Sequence, residues 1–244
     1  MKFTVVLATL AAVASAAPAR DATESSSELQ KRAAVFTAKT FDDISISGGN
    51  AGTAKEDALK KLGGLPTDLS KVDKADLTFL NSVNKIANQA ERGAYNVKIA
   101  ETAPGEEALA LQRAKIQNKV LKLTATVMGL QAQQAQGKNV TAKLTEETKK
   151  LEKNIADDQA NAGKPATALK FNASTDNPAA SEVAKDDTLA KKAGDVVDAS
   201  LKATGGAGAG ATGKGKGNGK GKGTKTANKA VVEAETEAEA EDEE

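Results

Sequence analysis

Three pairs of neighbouring carboxylates are the residues best placed to do chemistry: Asp42-Asp43, Glu106-Glu107 and Asp157-Asp158. Two suitably spaced carboxylates can hydrolyse a glycoside, one as acid and the other as base or nucleophile. Each pair also has a plainer role. Asp42-Asp43 suits a solvated turn, Glu106-Glu107 the positive end of a helix dipole, and Asp157-Asp158 a solvated helix end. One tyrosine, Tyr95, and no tryptophan are available to stack on a sugar. Cysteine and histidine are both absent. That removes disulfides, thiolate or imidazole metal ligation, Cys or Ser–His nucleophile systems and imidazole acid–base chemistry. No calcium-loop pattern occurs, and Asp186-Asp187 beside Lys185 reads as linker charge. The residue types point to a non-enzymatic protein with no catalytic residues, no metal and no cofactor.

A second chemistry is suggested near the C-terminus. Lys214, Lys216, Lys220 and Lys222 are spaced on glycine, and an acidic run starts at Glu233. Such a strip attracts phosphate-rich partners. It lacks the flanking strand and helix of a phosphate loop, aromatics to stack bases, and arginine for bidentate recognition. The nearby acids screen it within a Debye length. Nucleic acid is therefore not the expected partner; the strip suits weak, salt-sensitive adhesion to an anionic surface.

The elements that must position these residues are helices. Thr53 with Glu56 makes a capping box for "TAKEDALKKLGG", with Ala58, Leu59 and Leu62 as its apolar edge and Gly63-Gly64 as its stop. Asp68, Ser70 and Asp73 are alternative N-caps for a second helix. Phe79, Leu80, Val83, Ile86, Ala87 and Ala90 line its apolar face, and the pattern continues past Gly93 towards Val97. A third helix starts near Pro104. Its seam, Ile116, Val120, Leu123, Val127 and Leu130, is core by default and a candidate apolar-ligand lining otherwise. A fourth runs from Thr141 to about Asn161, buried through Leu144, Leu151 and Ile155, with Glu146 and Lys150 as an i,i+4 pair. Phe41 to Gly49, "FDDISISGG", reads as an extended stretch along the helices, without a partner strand. The fold class expected is all-α, a small antiparallel helical bundle of about four helices, held by packing alone.

The ends read as addresses and tails. Lys2, the apolar run Phe3 to Val13 and small residues up to Ala16 form a secretory signal, expected over 1–16 and too short to span a bilayer. Residues 17–32 suit a disordered pro-segment cut after Lys31-Arg32 by a kexin-like protease. The helical domain is expected over 33–162, a linker with a weak helix over 163–203, and a disordered Lys/Gly-rich then acidic tail over 204–244. Asn139 and Asn172 open glycosylation sequons. There is no transmembrane segment, and the acidic end does not suit a GPI anchor. The expected location is extracellular, with wall association as an option.

The signal, the pro-segment and "FTAKTFDDISISGGNAGTAKEDALKKLGG", within a match over Val35 to Gln159, resemble a group of ascomycete fungal small secreted proteins. The closest phrase is Phe41 to Gly49. That group has no established reaction. In architecture alone the chain is similar to the cysteine-free hydrophobic-surface-binding and cell-wall mannoprotein families of filamentous fungi, which bind apolar surfaces or lipids. No motif matches theirs residue by residue, so no site is carried over. The expectation is an interaction protein, at the fungal surface or as a host-directed effector, with a protein or cell-surface partner. A lipid- or hydrophobic-surface-binding protein using the bundle interior and a cell-wall coat protein are the alternatives.

Overall fold

The computed structural model describes residues 34–205. The expected signal, pro-segment and most of the tail, with Ala16, Lys31, Arg32 and the lysine strip, lie outside them.

The described chain is mostly helical. It opens with α1 (Phe41–Ile44), a single turn whose Thr40 and Asp43 cap each other reciprocally and which buries Phe41 and Ile44. β1 (Gly49–Asn50) and α2 (Ala54–Lys61) follow, then a 3₁₀ turn over Leu69–Lys71 capped by Asp68. α3 (Lys74–Ala90) starts at Asp73, whose carboxylate accepts from Ala75 N. A π turn, Glu91–Tyr95, carries it into α4 (Asn96–Glu101). α5 (Glu106–Ala135) is followed by α6 (Thr141–Ala160), β2 (Pro165–Ala166), a 3₁₀ turn over Pro178–Ser181 and α7 (Asp187–Ala203).

α5 is the hub, packed by α2, α3, α6 and α7. The main core joins Phe41, Leu62, Leu80, Val83, Ile86 and Tyr95 to Val120 and Leu121. A smaller core joins Ile99, Ala100 and Leu111 to Ala193. The sequence seam predicts one apolar stripe on α5, yet Lys115, Gln117, Asn118, Lys119 and Lys122 are buried as well. The neutral and guanidinium side chains serve backbone groups of neighbouring segments. Arg113 donates to Pro165 O, Gln117 to Gly48 O and Asn50 O, and Asn118 to Ala87 O. A helix enclosed on every side must satisfy the polar ends of whatever packs on it.

Several expectations need correction. The capping box at Thr53 does not form. Thr53 Oγ1 donates to Asp57, and Ala54 N is taken by the Asp158 carboxylate of α6 at 2.9 Å. Leu59 is 49% exposed and is not part of the apolar edge. The "FDDISISGG" stretch is not unpartnered: it contains α1, and its last residue, Gly49, opens β1, which pairs antiparallel with β2, Gly49 opposite Ala166. Residues 163–203 are more than a linker, because β2 and the 17-residue α7 both pack on α5.

Candidate functional site

Lys74 and Lys85 are eleven residues apart on α3, three turns, so both sit on one face. That face borders the C-terminal half of α5 and the loop into α6. Between them is an open groove of about 710 Å³. Leu77, Leu80, Leu130 and Val140 give it an apolar floor, and Asn81, Asn84 and Gln133 add amides. Lys74, Lys85, Lys138 and Lys143 are its charges, and no carboxylate lines it. Elsewhere lysines pair readily: Lys150 with Glu146 and Glu147, Lys153 with Asp157, Lys191 with Asp195. Among the described residues the groove lysines have no such partner. Gly129 of α5 faces Leu80 of α3 here, and a Cβ at Gly129 would meet Leu80 Cβ at 3.9 Å, an ordinary contact.

A second cavity, about 730 Å³, lies under the first described residues. Its apolar wall is Phe36, Ile44, Ile46 and Phe79, with Phe36 stacked on Phe79 at 4.5 Å. The buried Asp76 carboxylate pins the chain there by accepting from Val35 N and Phe36 N. Its rim mixes Lys39, Lys60 and Lys61 with Asp43 and Asp57. Both carboxylates already bond to threonine hydroxyls, Asp43 to Thr40 and Asp57 to Thr53.

The strongest electrostatic feature is buried. The π turn at the end of α3 delivers Glu91, fully enclosed, to the α5 face carrying Lys115, Lys119 and Lys122 at i, i+4 and i+7. The ammoniums lie 3.6, 3.1 and 3.5 Å from its oxygens. Burial pushes the Glu91 carboxyl up, and the three lysines override that and hold it down at about 2. A carboxylate locked in its charged form is a structural counter-ion, unsuited to proton transfer near neutral pH.

The carboxylate pairs are divided among separate tasks. Asp42 Oδ1 accepts from Phe171 N while Asp43 caps α1. Glu106 pairs with Arg113 at 2.7 Å, and Glu107 is exposed. Asp157 pairs with Lys153, and Asp158, 2% exposed, accepts from Gly52 N and Ala54 N. Among the described residues no three acids cluster to hold a metal ion. The seam residues Ile116, Val120, Leu123, Val127 and Leu130 are all buried, and Leu130 also lines the groove. Asn139 is exposed in the α5–α6 turn, between groove residues Lys138 and Val140. Asn172 is exposed in the loop after β2.

Sequence reasoning missed the groove and the Glu91 cluster. The i, i+4, i+7 lysines of α5 were a legible signal for a basic face, but not for its burial. The groove lysines come from three segments that only the fold brings together.

No helix among the described residues is long and apolar enough to cross a membrane. A family profile described as "Domain of unknown function (DUF8454)" matches residues 36–170. No curated protein and no solved structure matches the chain.

Proposed function

Starting from the chain's membership of the DUF8454 family, whose function is unknown, we propose that it is a secreted, non-enzymatic interaction protein that meets an anionic partner through the groove between α3, α5 and α6. It acts outside the cell, at the fungal surface or against a host. The observation that carries this reading is the segregation of charge: Lys74, Lys85, Lys138 and Lys143 surround a groove without a carboxylate. In each carboxylate pair at least one member is committed to a backbone amide or an ion pair, which favours a binding role over hydrolysis. The secretory signal, cleavage after Arg32 and an antiparallel arrangement of the helices belong to the same proposal.

The test uses mature protein from culture medium. N-terminal sequencing is expected to begin at Ala33, and intact mass reports the glycans on Asn139 and Asn172. Binding to a sulfated polysaccharide is then measured against salt. Lys85→Gln with Lys143→Gln is expected to weaken it by at least ~10-fold and to flatten the salt dependence. Equal binding by the double variant, or hydrolytic turnover by the purified protein, overturns the proposal. A lipid-binding role is the second reading, favoured by the Phe36–Phe79 cavity more than by the buried seam. A wall-coat role predicts retention on the wall and release by salt.

A further inference from the structure

We infer that the acidic C-terminal run of this same chain, Glu233 to Glu244, docks in the basic groove and competes there with external anions. The inference concerns regulation of the groove proposed above and rests on that reading, although the two fail separately in the test below.

Eight of the last twelve residues are acidic: Glu233, Glu235, Glu237, Glu239, Glu241, Asp242, Glu243 and Glu244. The groove carries lysines that no described carboxylate neutralises. In an extended chain alternate residues face opposite sides. Glu233, Glu235, Glu237 and Glu239 would share one side, and Ala234, Thr236, Ala238 and Ala240 the other. Small side chains then lie on the floor of Leu77, Leu80 and Leu130 while the carboxylates meet the rim lysines. From Lys74 to Lys85 the groove runs about 17 Å, eleven residues at the helical rise. That length holds about five extended residues.

α7 ends close to the start of α5, where Ser200 Oγ accepts from Gly105 N at 2.9 Å. The groove centres on Gly129 of α5, some 36 Å along the helix axis from Gly105. Between Gly205 and Glu233 the glycine-rich chain is long enough to span about 30 Å as a root-mean-square distance and far more when stretched. A tether matched to its span gives an effective concentration on the order of millimolar. The competing site is the lysine strip, Lys214 to Lys229, inside that tether. Its lysines are spaced by Gly, Thr, Ala and Asn, without large apolar residues to form a floor, and an ion pair without apolar enclosure contributes little. The groove lysines are carried on or beside packed helices.

Zero-length carbodiimide coupling joins a carboxylate to an amine it touches, so peptide mapping of the monomeric product reads the contact directly. With full mature protein at low salt, Glu233–Glu241 is expected to couple to Lys74, Lys85, Lys138 or Lys143. The products should vanish at ~1 M salt, where screening reaches about 3 Å, and fall severalfold in Lys85→Gln with Lys143→Gln. Removing residues 233–244 should raise affinity for the sulfated polysaccharide severalfold. Coupling confined to Lys214–Lys229, coupling only between copies, or no coupling overturns the inference. A tail-deleted chain whose polysaccharide binding still depends on Lys85 and Lys143 would keep the groove reading while the tail reading falls.

Discussion

Glu91 shows how one residue can set the terms for its neighbours. Its carboxylate is enclosed and faces three lysines, so the cluster carries excess positive charge. Removing this counter-ion takes away the buried carboxylate that the three ammoniums share. Glu91→Gln should lower stability at neutral pH by about 3–5 kcal/mol, read by chemical denaturation. Lys115→Met, which removes the most distant ammonium, should change it by under ~1 kcal/mol or raise it. The pH dependence has a definite sign. The folded carboxyl is depressed to about 2, below its unfolded value near 4.3. Its contribution is present above ~4.3 and is lost as pH falls through 2. The gap between wild type and Glu91→Gln should therefore narrow across that window. A constant gap from pH 7 to 2 would show that the lysines do not hold the charge. Sequence alone does not single out Glu91, because its partners lie on another helix.

At the scale of elements, the legible parts were those decided locally. Asp73 caps α3, and Gly137, with φ +85°, ends the turn after α5. Glu146 meets Lys150 four residues on, at 2.7 Å. The illegible parts depend on partners far along the chain. Thr53 looks like a cap, but its hydroxyl donates to Asp57 instead, and the charged carboxylate of Asp158, 104 residues away, holds Ala54 N at the helix start. β1 is invisible without β2, and the polar residues of α5 read as a solvated face until the loops that they bind are known. The junction of α2 with α6 tests this account. Gly52 has φ +116°, and a Cβ there would sit 2.8 Å from Ala162 Cβ and 2.9 Å from its Cα. Its N–H donates to Asp158 at 2.9 Å. Gly52→Ala combines left-handed backbone strain with a clash against backbone, and should cost about 2–4 kcal/mol. Gly64→Ala, also at positive φ but with nothing near its Cβ, should cost about 1 kcal/mol. Equal losses, measured by thermal melts, would mean that the α2–α6 junction is looser than this packing.

For the whole molecule, the question is where the folding unit ends. The family match covers residues 36–170, and apolar periodicity fades after Gly163, so both place the end before α7. The structure extends it. Ala193 completes the small core with Ile99, Ala100 and Leu111, with Leu189, Val196 and Val197 packed around it. Ser200 is fully buried against the start of α5. The segment before α7 also covers the π turn, since Val183 and Phe171 approach within 2.9 and 3.1 Å of where a Gly93 Cβ would stand. The pattern in α7 was weak because only part of one face is apolar and much of its surface is solvated, which is what a helix added to the outside of a core requires. A chain ending at residue 170 would uncover Ile99 and Leu111. At about 1.5–3 kcal/mol for each fully buried side chain, it should lose roughly 3–6 kcal/mol. A chain of residues 34–205 keeps both cores and should melt with the mature protein. The decisive comparison is of these two truncations in the same buffer. If the 170-residue end point melts with the longer chain, α7 is an ornament and the domain is the shorter unit. If it melts well below, or fails to fold, residues 171–205 belong to the domain, through Ala173 in the main core and Ala193 in the small one.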